Sequence, residues 1–186
     1  MGPDEARRIL AEAELVCSAE DIQLVIERLA GEITARLQDD HPLVLTVMGG
    51  AVVFAGQLLP KLPFPLECDY LHATRYGNTT SGSGLAWLAE PRTPVAGRTV
   101  LVLDDILDEG ITLAAIRKRL LEQGAKDCWI AVLSEKDTGH PKPIAADFKG
   151  VDLPNRYVFG CGMDVKGAWR NLPAIFALKE VPLGMP

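Results

Sequence analysis

Nothing in the 186-residue sequence is apolar over a length that would cross a membrane. The first residues also lack a basic segment followed by an apolar stretch, so we expect no secretory signal. Cysteine pairs are missing too: the four cysteines are scattered and none forms a C-x-x-C motif, which predicts buried free thiols rather than disulfides or zinc ligands. Together these absences favour a cytoplasmic protein.

An excess of basic charge is absent as well. The chain has 19 Lys and Arg against 25 Asp and Glu, a formal net charge of −6, whereas a dedicated nucleic-acid binder usually carries a basic stripe. The three histidines are scattered without an H-x-x-x-H spacing, which argues against a transition-metal site. A small anionic ligand is compatible with this charge, because a few cations or a helix N-terminus can bind one.

The composition itself is that of a soluble globular domain. Hydrophobic residues make up 48% and charged residues 24% of the chain, so the sequence does not predict disorder. The length suits one domain over residues 1–186, and it is sufficient to bury a core without disulfides or a structural metal.

Hydrophobic periodicity predicts alternating strands and helices. Ser18, followed three residues later by Asp21, is typical of a helix start, and apolar residues at helical spacing follow it to Leu37. Strand, helix and strand in turn predict an α/β fold with a parallel sheet covered on both faces. After residue 135 only Tyr157–Phe159 looks strand-like, so this tail is predicted to form a subsidiary lobe. The other predicted elements are strands at 43–47, 66–73, 99–103 and 128–133, helices at 51–59 and 111–123, and a glycine-rich loop at 74–84.

The segment Val100–Leu113 holds the most informative pattern. A buried strand leads into the adjacent Asp104 and Asp105, and a third acid, Asp108, precedes Gly110 at the start of a helix. Ligands of open α/β sheets bind beyond the carboxyl ends of strands, and the N–H groups of a helix N-terminus attract phosphates. Because neighbouring carboxylates accept hydrogen bonds from neighbouring hydroxyls, we predict a ligand with a sugar diol and a phosphate. The alternative is that the acids merely end a strand and cap a helix.

This segment resembles the phosphoribosyl-pyrophosphate (PRPP) motif of the type I phosphoribosyltransferases. From about residue 43 to about residue 172 the chain is similar, in order, to the hypoxanthine-guanine phosphoribosyltransferase family. The resemblance implies an α/β fold whose parallel-sheet core, at about 38–135, is flanked by helices. A small hood lobe at about 136–186 would complete the domain, with the N-terminal helices packed alongside.

The resemblance also implies roles for individual residues. In the PRPP motif, Asp108 would be the catalytic general acid/base, and the ribose and 5′-phosphate would be bound by Asp104, Asp105, Glu109, Gly110, Ile111 and Thr112. Pyrophosphate would be held by Met48, Gly49 and Gly50 after the first core strand, by Arg75 and Tyr76 at the head of the glycine-rich loop, and by Arg170. The purine would be bound by Lys136 at its 6-oxygen and by Tyr157 and Val158 at its ring, and Asp164 would lie near a Mg²⁺ ion.

Three positions depart from the family's pattern. Met48 stands where many members carry Lys or Arg, and Arg75 stands where many have serine. Glu109 occupies a place where Thr or Ser is usual, and a carboxylate beside a phosphate is unfavourable unless it points away. We therefore expect reduced PRPP affinity if Glu109 faces the phosphate, although Thr112 still supplies a hydroxyl.

The implied activity is purine salvage: transfer of the phosphoribosyl group from PRPP to hypoxanthine or guanine, giving IMP or GMP and pyrophosphate. Mg²⁺ would be the cofactor, the 74–84 loop would close as a lid, and the enzyme would be a cytoplasmic homodimer or homotetramer without nucleic-acid or membrane partners. Two alternatives stay open, a xanthine-preferring transferase and a non-catalytic PRPP-sensing regulator on the same fold. Lys142 and Lys149 are expected to be solvated.

Overall fold

A computed structural model of the chain describes residues 1–75 and 85–179. Its helices are α1 (Pro3–Glu12), α2 (Ala19–Leu37), α3 (Val52–Leu58) and α4 (Ile111–Glu122), with a 3-10 turn at Leu59–Lys61. Its strands are β1 (Glu14–Cys17), β2 (Leu43–Val47), β3 (Glu67–Arg75), β4 (Leu85–Ala89), β5 (Thr99–Leu107), β6 (Asp127–Lys136), β7 (Phe148–Leu153), β8 (Val158–Phe159) and β9 (Ile175–Ala177). Within these two segments, no helix is long and apolar enough to cross a bilayer.

Helix α2 begins as its sequence predicts. The Ser18 side chain accepts a hydrogen bond from the Asp21 backbone N–H at 3.1 Å, and the Asp21 carboxylate accepts one from the Ser18 N–H. This capping box satisfies two backbone donors that the helix itself cannot pair. Fully buried Ile22, Ile26 and Ile33 then follow the helical period and turn one face of α2 toward the protein core.

The core contains a six-stranded sheet in the order β4-β3-β2-β5-β6-β7. Every neighbouring pair is parallel except β3 with the edge strand β4. Helices α2 and α3 contribute to the apolar cluster on one face and α4 to the cluster on the other, so the central strands are apolar on both faces. The predicted α/β class with a parallel sheet is confirmed.

Strand β5 is longer than its hydrophobic pattern predicts. The apolar run ends at Leu103, but the strand continues through Asp104 and Asp105 to Leu107. Parallel pairing with β6 extends as far, with Leu107 opposite Glu135. The reason is that ladder hydrogen bonds join backbone groups and do not depend on apolar side chains. Both acids are therefore held on a strand rather than in a loop.

The predicted 74–84 loop begins later in the structure. Strand β3 runs on through Thr74 and Arg75, and it pairs antiparallel with β4, which no sequence pattern indicated. Tyr76 and the predicted lid lie outside the described residues.

Strand β7 lies beside β6 in the main sheet, although it follows residue 135, where the hood was predicted to begin. Phe148 and Leu153 are buried at its two ends, whereas Lys149 and Asp152 are exposed. The two buried residues are separated by positions that are exposed or half-buried, so the strand carries only a weak apolar signal in the sequence.

A second sheet, in the order β1-β9-β8, joins segments from both ends of the chain. Both of its strand pairs are antiparallel. Arg156 reinforces the connection by donating to the Glu14 carboxylate at 2.7 Å and to the Leu178 carbonyl at 2.8 Å. Helix α1 contacts the loop after β8, because Trp169 Nε1 donates to the Ala6 carbonyl at 2.8 Å. N-terminal and C-terminal residues therefore share this smaller part of the molecule.

Candidate active site

The carboxyl ends of β2, β3 and β5 border one cavity of about 330 Å³. Strand β2 lies between the other two, and the chain passes from β2 to β3 on one side before it returns to β5 on the other. Such a reversal of strand order opens a crevice, because the connections after the two strands lead in opposite directions. The sequence-predicted residues that line the cavity are Met48, Gly49, Gly50, Asp104, Asp105, Asp108, Glu109, Gly110, Thr112 and Arg170.

The loop after β2 packs directly on the carboxylate of Asp105. A Cβ atom on Gly50 would lie 1.9 Å from Asp105 Oδ2, and one on Gly162 would lie 2.0 Å from the Gly50 carbonyl oxygen. Only glycine permits either approach. The Met48–Gly49 peptide bond in this loop is cis. The two glycines let the β2 loop, strand β5 and the loop after β8 meet at one point.

Asp104 and Asp105 form an acidic pair on the cavity wall. Asp105 is only 8% exposed, and its backbone N–H donates to the Asp104 carboxylate at 3.0 Å. Burial raises the pKa of Asp104 well above its ordinary value, and the neighbouring charge of Asp105 raises it further. Burial also raises the pKa of Asp105, which the Arg170 guanidinium partly opposes. Carboxyls in this environment gain from a ligand that donates hydrogen bonds, as a diol does.

The N-terminus of α4 opens onto the same cavity. Its N-cap residue, Gly110, has a left-handed backbone with φ of 75° and no side chain that could cap the first N–H groups. Those N–H groups lie at the positive end of the helix dipole, and Thr112 adds a hydroxyl to the cavity lining. The arrangement suits an anion of the size of a phosphate.

Glu109 is turned toward the loop that follows β6. Its Oε2 atom lies 3.5 Å from Nε2 of His140. The side chains of Glu109 and His140 are 41% and 53% exposed. The sequence could not predict this contact between Glu109 and His140. The contact matters for the expectation that Glu109 weakens phosphate binding, because that expectation depends on where the carboxylate lies.

Asp108, directly after β5, and Lys136, the last residue of β6, meet where the two strands stop pairing. Lys136 Nζ donates to Asp108 Oδ2 at 3.0 Å, and the lysine side chain is only 14% exposed. The contact follows from the sheet, since each residue comes directly after the last β5–β6 pair, Leu107 with Glu135. A carboxylate and a cationic donor therefore stand side by side at the edge of the cavity.

The loop after β8 presents a second group of polar side chains. Arg170 donates to the Asp164 carboxylate and to the Gly162 carbonyl, and the other Asp164 carboxylate oxygen accepts from the Gly167 N–H at 2.6 Å. Tyr157 Oη donates to the Asp164 carbonyl at 3.1 Å while the Tyr157 side chain stays exposed. One carboxylate, one guanidinium and one aromatic ring are thus held by a single hydrogen-bonded loop.

Some of the predicted residues lie outside the cavity lining. Lys136 reaches the cavity through its contact with Asp108, and Asp164 does so through Arg170. The other predicted residues that do not line it are Ile111, which is exposed, Val158, which is buried in the smaller sheet, and Tyr157. The position of Arg75 is fixed only as the last residue of β3, and Tyr76 lies outside the described residues.

Sequence reasoning missed the contribution of β3 to the site. His72, Ala73 and Thr74 line the cavity, and none was singled out. The signal available was positional: β3 was predicted as a strand of a parallel sheet, so its carboxyl end had to reach the edge where β2 and β5 end.

The acids of the site offer oxygen atoms, the ligands that Mg²⁺ prefers. Among the described residues, no three His, Cys, Asp or Glu side chains are grouped so that they could hold a metal. Each carboxylate oxygen of Asp164 accepts one hydrogen bond and retains further acceptor capacity. A single carboxylate of this kind fits a Mg²⁺ ion that takes its other ligands from water and substrate phosphates.

Comparison with known proteins finds relatives along most of the chain. The family model described as a phosphoribosyl transferase domain matches residues 18–166. The hypoxanthine-guanine phosphoribosyltransferase of Bacillus subtilis (strain 168) is 35% identical over 167 residues, which cover 89% of this chain and 93% of that protein. The hypoxanthine-guanine-xanthine phosphoribosyltransferase of Tritrichomonas foetus is 36% identical over 162 residues, which cover 87% of this chain and 88% of that protein.

Solved structures give the same likeness in three dimensions. A hypoxanthine-guanine-xanthine phosphoribosyltransferase matches with a TM-score of 0.81 and 33% identity over 90% of this chain and 97% of that one. A hypoxanthine phosphoribosyltransferase from Staphylococcus aureus matches with a TM-score of 0.86 and 25% identity over 92% of this chain and 95% of that one.

Proposed function

The chain belongs to the hypoxanthine-guanine phosphoribosyltransferase family, and from this membership we propose that it transfers the phosphoribosyl group of PRPP to hypoxanthine or guanine. The products are IMP or GMP and pyrophosphate, so the reaction is one of purine salvage. The observation that carries the proposal is the convergence at one crevice of the Asp104–Asp105 pair, an uncapped helix N-terminus and the Lys136–Asp108 pair.

The proposed contacts with PRPP follow from the chemistry of the cavity wall. Asp104 and Asp105 accept hydrogen bonds from the two ribose hydroxyls, and the first N–H groups of α4 bind the 5′-phosphate. The diphosphate is held by backbone groups of Gly49 and Gly50 and by the Arg170 guanidinium, which suits an anionic oxygen. The site thus recognises all three parts of PRPP with different chemical groups.

The proposed contacts with the base use the pair at the cavity edge. As the bond from purine N9 to ribose C1′ forms and the bond from C1′ to diphosphate breaks, Asp108 takes the proton that leaves N7. Lys136 has three N–H donors, so its bond to Asp108 leaves donors for the 6-oxygen of the purine. Adenine offers N–H groups at that position, and an ammonium therefore disfavours it. Tyr157, with its exposed ring, stacks on the base.

We also propose Mg²⁺ as the cofactor, which Asp164 would hold while the other ligands come from water and substrate. When bound, the ion neutralises negative charge on the departing diphosphate. The chain's own contribution is to orient that carboxylate through Arg170 and the Gly167 N–H. A cytoplasmic location and a homodimer or homotetramer stay predictions, the second measurable by light scattering coupled to size exclusion.

The test is an assay with PRPP, Mg²⁺ and a panel of hypoxanthine, guanine, xanthine and adenine, in which nucleotide and pyrophosphate are both measured. We expect turnover with hypoxanthine and guanine and none with adenine. Preferred use of xanthine would replace the proposal with its nearest alternative, a possibility that the name of the Tritrichomonas foetus relative makes worth testing. PRPP binding without turnover of any base would overturn the proposal in favour of a PRPP-sensing regulator.

A further inference from the structure

Most of the Lys142 side chain is buried, although the sequence places it in a polar segment where it is expected to be solvated. Its side chain is 9% exposed, whereas that of Lys149, the other lysine expected to be solvated, is 41% exposed. A buried ammonium is costly unless its donors are paired. The partners of Lys142 therefore indicate what holds it in this position.

All three N–H donors of the Lys142 ammonium have acceptors. Nζ donates to the Lys136 carbonyl at 2.6 Å, to the Leu107 carbonyl at 3.1 Å and to the Glu135 carboxylate at 3.0 Å. An ammonium group has three donors and no acceptor, so this environment satisfies it completely.

The two carbonyls lie where β5 and β6 stop pairing. The last pair of the ladder is Leu107 with Glu135, and the next residues along the two strands are Asp108 and Lys136. Lys142 connects the backbones at this point, because it binds the carbonyl of Leu107 on β5 and that of Lys136 on β6. The ammonium thus links β5 and β6 just past the point where backbone hydrogen bonds between the two strands end.

We infer that Lys142 is a positioning residue that fixes the geometry of the Asp108–Lys136 pair for the purine base. It is at hydrogen-bond distance from the backbone of Lys136 and from that of Leu107, the residue before Asp108. It therefore fixes the backbone positions from which the Lys136 and Asp108 side chains extend. The inference rests on the proposed function, since it assigns the pair to the base. Small displacements of such groups are costly: about 1 Å can reduce a rate by about 100-fold.

Lys149 provides a matched control within the same group of charges. It contacts the same Glu135 carboxylate, at 3.7 Å, and Asp152 at 2.8 Å. Its ammonium has no bond to the carbonyls of Leu107 or Lys136 among the described contacts. Lys149→Met therefore removes a charge beside Glu135 without releasing the strand ends, and methionine keeps most of the length of the side chain.

The experiment compares Lys142→Met, Lys149→Met and the parent protein, first with hypoxanthine varied at saturating PRPP and then with PRPP varied at saturating hypoxanthine. We expect Lys142→Met to lower kcat/KM for hypoxanthine by about 10- to 100-fold and the KM for PRPP to change by less than about threefold. Lys149→Met should stay within about twofold of the parent. Lys142→Arg, which keeps the charge and the donors, should recover part of the loss.

A double-mutant cycle separates positioning from loss of stability. If Lys142 acts through the pair, Lys142→Met should cost at least about fivefold less in the Lys136→Ala background than in the parent, because coupled residues are not additive. Equal losses in both backgrounds, or a loss that Lys149→Met reproduces, would overturn the inference. Melting temperature and circular dichroism of each variant are measured alongside.

Two further outcomes remain distinguishable. If Lys142→Met does not give folded protein, the same double-mutant cycle is measured with Lys142→Gln. Glutamine keeps two N–H donors and lacks the charge. If the parent protein turns over no base, the proposed function fails; if the parent turns over hypoxanthine and Lys142→Met equals it, only the positioning inference fails.

Discussion

Lys136 Nζ lies 3.0 Å from Asp108 Oδ2, and the two residues are 28 positions apart in the sequence. The resemblance assigns the lysine to the purine 6-oxygen and the aspartate to proton transfer, and it treats them as separate groups. The structure joins them in one ion pair, of which the lysine is 14% exposed and the aspartate 45%. A substitution at either residue should therefore change the position or charge environment of the other.

Lys136→Ala removes the cationic donor proposed for the 6-oxygen. A hydrogen bond to a charged group contributes about 2 kcal/mol, so kcat/KM for hypoxanthine and guanine should fall about 30-fold. PRPP binding, measured by calorimetry, should change far less, because the contacts proposed for the phosphate and ribose lie on β5 and α4. Lys118→Ala, at a side chain 76% exposed on α4, is the control for loss of one positive charge. Unchanged kcat/KM for both bases would remove Lys136 from the base site.

Asp108→Asn keeps the size of the side chain and a hydrogen-bond acceptor for Lys136 but removes the carboxylate proposed to transfer the proton. General acid/base groups contribute about 10²- to 10⁴-fold, so kcat should fall by that order. PRPP affinity should change by less than about tenfold. Asp152→Asn, which also removes a carboxylate paired with a lysine, should have near-normal kcat. A variant at Asp108 that binds PRPP poorly but turns over normally at saturation would make this residue a ligand-binding group instead.

Asp104→Asn should stabilise the protein while it weakens PRPP binding. Because burial raises the pKa of Asp104 in the folded state, the folded protein holds this proton more tightly than the unfolded chain does. Stability is therefore lost as the pH rises from the ordinary carboxyl pKa through the raised value. At pH 7.5 asparagine removes that penalty, and the melting temperature should rise by about 2–4 °C, the shift that about 1 kcal/mol produces in a domain of this size.

The pH dependence provides the check on that prediction. The advantage of Asp104→Asn should shrink as the pH is lowered, because the parent carboxyl is then protonated as well. Asp39→Asn, at an exposed position, makes the same chemical change and should show no such gain. A lower melting temperature for Asp104→Asn at pH 7.5 would mean that its surroundings stabilise the ionised carboxylate.

Glu109→Thr should change PRPP affinity by less than about threefold. The carboxylate lies 3.5 Å from Nε2 of His140, so we expect it to stay far enough from the 5′-phosphate for the repulsion between the two charges to be weak. His140→Ala removes that contact and should weaken PRPP binding more than Glu109→Thr alters it, with the larger difference at low salt. Calorimetry at two salt concentrations measures both variants, and a strong gain in affinity for Glu109→Thr would place the carboxylate at the phosphate.

The fold was predictable where local pattern and tertiary structure agree. The Ser18–Asp21 capping box and strand β2, predicted at Leu43–Val47 and found there, both depend on a few neighbouring residues. Strand β7 was missed, since its edge position leaves Lys149 exposed and its pairing with β6 is not encoded locally. Strand β4 was missed for a similar reason, because it forms by pairing with β3 and this pairing is not encoded locally.

Within the site, residue types were predictable and directions were not. The sequence indicated that Asp104, Asp105 and Asp108 act together, because they follow one buried strand. It could not show that Lys142 is buried against two strand ends, since its neighbours in the chain are polar or proline. The sequence shows how many hydrogen-bond donors a side chain has. Which carbonyl groups accept from those donors depends on where separate strands end in the fold.

The pairing of β1 with β9 has a consequence for the order in which parts of the protein fold during synthesis. All strands of the main sheet have been made once Leu153 has left the ribosome, whereas Glu14–Cys17 must wait for Ile175–Ala177 to emerge. Contacts between residues so far apart form late, because they close the longest loop in the chain. Asp164 and Arg170 belong to this late part. A nascent chain interrupted after Leu153 is therefore expected to be compact and catalytically silent, so activity would require synthesis through Ala177.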